Sequence, residues 1–236
     1  MQLLQSIAHR LGRVELPRFT ETRVQMMPFL VHAPHSSLPE ALAPWRHLVA
    51  SICSLSGEHG VGFLTIDEAI VTRGEHHRRP GLHVDCGGPL LAHGGSPPRP
   101  WPPRHGGSPP PPPGHGGSPH AGASFRGGMY VVASSIGSRG WVGAVPGQQE
   151  DEGNCEHLAK HLGRATLFEA GDLFWCNSDF VHETLPARET GPRQFLRVSM
   201  PSAAPWHANY TPNPLGIAPA GRVAAPRAEM TFRGSN

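Results

Sequence analysis

In the stretch PGLHVDCGG, Pro80 to Gly88, His83 and Asp85 stand two residues apart within a short apolar run. Alternate side chains of an extended chain share a face, so the imidazole and the carboxylate can reach one point while Val84 packs behind them. That pair suits a divalent transition metal, but two ligands do not complete a site. The expected third is His182 in GDLFWCNSDFVHET, where Gly171 and Asp172 signal a turn, an apolar run follows and the histidine sits where extended structure resumes. Two histidines and one carboxylate on one face of an ion form the facial triad of non-haem Fe(II) chemistry, which leaves coordination positions open for O2 and a cosubstrate.

A later run, RQFLRVSM, sharpens the case. Its alternation sets Arg193, Phe195, Arg197 and Ser199 on one face and Gln194, Leu196 and Val198 on the other. A guanidinium pointing into a core is costly without an anionic partner, and a dicarboxylate cosubstrate would supply one. HxD at His83 and Asp85, the distal His182, and R-x-S at Arg197 and Ser199 together resemble the Fe(II)- and 2-oxoglutarate-dependent dioxygenase superfamily. The resemblance spans roughly residues 62–200, and Arg197 and Arg193 follow His182 by 15 and 11 residues.

The resemblance implies a mainly β fold with flanking helices, a double-stranded β-helix (jelly roll, cupin-like). It implies Fe(II) on His83, Asp85 and His182, chelated by the keto acid, with one position left for O2. The reaction it implies hydroxylates a C–H bond of a small organic substrate and releases succinate and CO2. Arg197 with Ser199 is expected to hold the far carboxylate of 2-oxoglutarate by a charge-assisted contact, and Arg193 competes for that role. Two other functions stay open: a catalytically silent jelly roll whose Pro-rich loop binds SH3- or WW-type partners, and a cupin-like metalloenzyme that uses no keto acid. The bland alternatives are the wet face of a strand for His83 and Asp85, a satisfied barrel histidine for His182, and a structural carboxylate such as Glu68 or Glu169 for Arg197.

The elements that must position these residues are read from periodicity. Leu42, Trp45, Val49 and Ile52 form one stripe and predict a helix over 38–55 that covers a sheet, with Pro44 in its first turn. Strands are expected over 62–72, 82–86, 129–136, 141–145, 165–170, 173–176, 180–184 and 194–200, with a short helix over 154–162. On that helix His157 and His161, four apart, could mimic a second metal site, and an exposed face explains them equally well. His76, His77, Arg78 and Arg79, just ahead of His83, could touch an anionic substrate, against the alternative of a solvated loop. From residue 92 to 122 a unit opening HGGSP repeats at His93, His105 and His115; this Pro/Gly/His-rich stretch is expected to be a disordered insertion in a single domain spanning 1–236.

Composition excludes more than it assigns. A net charge of +2 without a long basic run gives no signal for nucleic acid or an anionic membrane. No apolar stretch approaches a spanning helix, so a cytoplasmic protein is expected. Leu3, Leu4, Ile7 and Leu11 fall at helical spacing among arginines, which keeps organellar targeting open. Cys53, Cys86, Cys155 and Cys176 form no CxxC pair, so reduced thiols are expected. The oligomeric state has no signature.

Overall fold

A computed structural model describes residues 3–85, 128–201, 206–220 and 223–224. The chain is mainly β. In order come β1 (Leu3–Ser6), β2 (Ala8–Arg13), β3 (Arg23–Leu30), α1 (Pro34–Ser37), α2 (Ala43–Ser56), β4 (Val61–Val71), β5 (Met129–Ala133), β6 (Ser138–Trp141), β7 (Gly143–Pro146), β8 (Thr166–Phe168), β9 (Asp172–Cys176), β10 (Val181–Thr184) and β11 (Gly191–Ser199). A six-stranded sheet runs β2-β9-β5-β11-β4-β3, a three-stranded sheet runs β10-β6-β8, and β1 pairs with β7. Every pairing among these strands is antiparallel.

The alternation of β4 and β11 sorts their side chains between two faces. Leu64, Ile66, Leu196 and Val198 pack beneath Trp45, Val49 and Ile52 of α2, all essentially buried. Each such large apolar side chain contributes about 1.5–3 kcal/mol on burial. Pro44 occupies the first turn of α2, where its missing N–H costs nothing, and Gly57 ends the helix in the left-handed region at φ 62°. On this outer face Glu68 accepts from the Thr20 and Thr22 amides and from Gln194 Nε2, which ties down the loop before β3.

The opposite, inner face carries Thr65, Asp67, Arg193, Phe195, Arg197 and Ser199, in the registers Thr65 to Arg197 and Asp67 to Phe195. It looks toward the smaller sheet: Phe174 of β9 stacks on Phe168 of β8 at 3.9 Å between centroids. Behind the smaller sheet Leu82 and Val84 join Trp141, Val145, Leu158 and Val181 in a second core. Val84 thus packs behind the His83 and Asp85 pair as the alternation requires.

Several elements differ from their expected form. The helical spacing near the N-terminus is not realised: β1 pairs with β7, β2 pairs with β9, and these ladders prevail over local periodicity. The strand expected over 141–145 is two strands, broken at Val142 where Gly143 takes φ 141°. The helix expected over 154–162 is a 3-10 segment, Glu156–His161. Its three residues per turn separate His157 from His161, and both are exposed. Around His83 the expected strand is reduced to isolated bridges. No helix among the described residues is long and apolar enough to cross a membrane. Cys53, Cys155 and Cys176 are free and buried. Cys86 and the 92–122 stretch lie outside the described residues.

Candidate metal centre

His83 and His182 face each other as an antiparallel pair: the His83 amide donates to the His182 carbonyl at 2.9 Å, and the His182 amide returns the bond at 3.0 Å. The edge of the smaller sheet thereby draws the two histidines together across almost a hundred residues of chain. Their rings lie 4.4 Å apart between centroids. Each ring is fixed by the same local device. His83 Nδ1 lies 2.7 Å from the Gly81 carbonyl, and His182 Nδ1 lies 2.9 Å from the Phe180 carbonyl.

A carbonyl can only accept, so each Nδ1 donates a proton to it and each Nε2 points away from that carbonyl. This is the orientation that metal-ligating histidines adopt through a partner behind the ring. Phe180 also stacks on His182, 8° from parallel. Burial first and the neighbouring His182 second push the His83 imidazole down to about 3, with Asp85 opposing them, so His83 is neutral near pH 7.

Asp85 completes the group. One donor atom from each of His83, Asp85 and His182 lies within 4.8 Å of the others, the only such cluster of three among the described residues. Asp85 Oδ2 stands 3.8 Å from His182 Nε2, while Arg197 Nη1 donates to Oδ1 at 2.7 Å. The two oxygens have different work: one faces the imidazoles and the other is held by the wall of the sheet. Among the three, His83 is buried, whereas the Asp85 and His182 side chains keep 18% and 20% of their exposure, enough for an ion and a further ligand to approach. The donor set, two imidazoles and one carboxylate, fits a divalent first-row metal.

The two arginines of β11 separate. Arg197 is committed to Asp85 and not to either of the carboxylates considered from sequence: Glu68 lies on the outer face and Glu169 is exposed. Arg193 is buried, and among the described residues no hydrogen bond or ion pair engages its guanidinium; burial holds it below its ordinary value, with the charge of Glu189 opposing. Ser199 is buried on the inner face near the end of β11.

The His76 to Arg79 segment is not a solvated loop. His76 Nδ1 contacts the Thr184 carbonyl at 2.9 Å, Arg78 Nη1 donates to Asp67 at 3.0 Å, and the Arg78 guanidinium lies 5.1 Å above the Phe195 ring. Asp67 is the residue that motif reading missed. A signal existed in β4, where Thr65 and Asp67 interrupt an apolar run at strand spacing.

The chain has no match among known protein families, curated proteins or solved structures.

Proposed function

We propose that this chain is a non-haem Fe(II) oxygenase that uses 2-oxoglutarate to hydroxylate a C–H bond of a small organic substrate. The observation that carries the reading is the gathering of two imidazoles, each fixed from behind by a backbone carbonyl, and the Asp85 carboxylate with one ligand atom of each within 4.8 Å of the others. The facing antiparallel sheets are read as a double-stranded β-helix. Fe(II) on His83, Asp85 and His182 would supply O2 activation coupled to decarboxylation of the keto acid to succinate and CO2.

The chain's own residues then divide the remaining tasks. Arg197 orients Asp85 through its contact with Oδ1. Arg193, buried and unengaged among the described residues, is the better holder for the far carboxylate of the keto acid, so the role expected of Arg197 moves four residues along the strand. Phe168, Phe174 and Phe180 form an apolar stack behind His182 that excludes water from that side.

Anaerobic addition of Fe(II) and 2-oxoglutarate is expected to give the weak visible charge-transfer band of the chelate, and admission of air to give succinate. His182→Ala should lose both, and Arg193→Leu should keep Fe(II) but lose the keto acid. Absence of band and succinate in the parent protein would sink the oxygenase reading. Fe(II) binding with no response to the keto acid would favour the cupin-like metalloenzyme instead.

A further inference from the structure

Several buried polar atoms without hydrogen-bond partners lie on one strip of the inner face. They include both amide atoms of Gln25 and Arg197 Nε, while Asp67 Oδ1 and His77 Nε2 have only long ion-pair contacts, to Arg23 at 3.5 Å and to Asp67 Oδ2 at 3.6 Å. Such atoms are rare in folded proteins, and each costs free energy unless a ligand or water meets it. Their placement follows from β3. Val24 and Met27 lie in the core beneath α2, Arg23 reaches Asp67 at 3.5 Å, and the register slips between Val24 and Met27. Gln25 therefore shares the inner face with Arg23, while Met26, at φ 45°, is the extra residue of a bulge.

The bulge is built and held. Met26 N donates to Thr65 Oγ1, Gln25 N to Thr211 Oγ1, and Thr211 N to the Gln25 carbonyl. Thr65 in turn stands opposite Arg197, the residue bonded to Asp85. With neighbouring strands about 4.8 Å apart, the backbone at Gln25 is about 10 Å from that at Arg197. A strained bulge that sets a buried, unpartnered amide on the sheet face that carries the metal centre's Arg197 is a feature of ligand sites.

The charges on the same strip are mainly cationic. Arg23, Arg78 and Arg197 stand with Asp67 and Asp85, and His77 lies 3.6 Å from Asp67. A divalent ion and a doubly charged keto acid cancel each other, so they leave this excess in place.

We infer that this strip is the substrate wall, with Arg78 receiving an oxyanion of the substrate and Gln25 pairing with a neutral donor–acceptor group such as an amide or hydroxyl. The substrate class is a small polar molecule bearing a carboxylate or phosphate. The inference rests on the oxygenase reading for its chemistry and not for its binding groups.

Calorimetric titration of the full chain tests it, with Fe(II) and 2-oxoglutarate under anaerobic conditions and again metal-free. The probes are N-acetylglycine, its neutral analogue N-acetylglycinamide, and glycerol 3-phosphate. At least one anionic probe should bind about tenfold more tightly than N-acetylglycinamide, and which one does so identifies carboxylate or phosphate. Arg78→Met should abolish that preference. Gln25→Leu should weaken the preferred probe several-fold while raising the melting temperature of the free protein, because a leucine there leaves no unpaired amide; a merely structural glutamine would lower it. Equal affinity for charged and neutral probes, or a preference unchanged in both variants, overturns the assignment. Failure to bind Fe(II) while the anion preference persists would instead remove the oxygenase reading and leave the wall standing.

Discussion

Asp67 shows how a single carboxylate can organise a face. Burial raises its proton affinity, but the contact with His77 and the charge of Arg78 outweigh this, and the carboxyl is held below its ordinary value. A carboxyl lowered on folding binds fewer protons in the native state, so its stabilisation is complete above about pH 4 and is lost as pH falls further. Asp67→Asn should lower stability near neutral pH by about 2–4 kcal/mol, because Arg78 is left beside a neutral group, and should shrink the stability lost between pH 5 and pH 3. Urea midpoints at those pH values check both. Arg197 acts on a different carboxylate. Arg197→Gln should weaken divalent-metal binding about 10- to 100-fold, the usual effect of losing a partner behind a ligand. Arg193→Gln should leave metal binding nearly unchanged. Competition titration against a chromophoric chelator distinguishes the two arginines.

Among the elements, β6 and β10 decide whether His182 is in place. Gly140 stands opposite His182 in their ladder, and a Cβ at Gly140 would run into the Phe180 ring, which stacks on the His182 imidazole and whose carbonyl holds His182 Nδ1. Gly140→Ala should therefore cost about 1–3 kcal/mol by overpacking and also weaken metal binding. Gly163→Ala, where a Cβ meets open space, should stay within about 0.5 kcal/mol of the parent. Chemical denaturation and metal titration of both variants check this. The same element scale explains what could be read in advance. The α2 stripe and the alternation of β11 are amphipathic, β4 and β9 are apolar runs, and all of these announce themselves. β2 and β3 do not: AHRLGR is nearly polar, and the bulge at Gln25 and Met26 breaks the period that would have marked a strand. The metal triad was legible because His83 and Asp85 share a local spacing. The Arg78, Asp67 and Gln25 wall was not, since its members meet only through pairing of strands distant in sequence.

For the whole molecule, the candidate centre joins segments that the chain order keeps far apart. His83 and Asp85 follow the loop after β4, His182 belongs to the smaller sheet, and Arg197 anchors Asp85 from the larger one. An ion bound to all three ligands would clamp the two sheets at one point, and the unfolded chain offers no such preformed site, so binding energy becomes folding energy. Free metal at a hundred times its dissociation constant stabilises the native state by about 2.7 kcal/mol. For a domain of 150–250 residues that corresponds to a rise of about 5–10 °C in melting temperature. Scanning calorimetry under anaerobic conditions should show this shift with Fe(II), its reversal by a chelator and its absence in His182→Ala. The metal-free Tm of His182→Ala should stay close to the parent's, because the main cores beneath α2 and around Val84 do not depend on that ring. A chelator-insensitive Tm in the parent would mean that the three side chains meet for structural reasons alone.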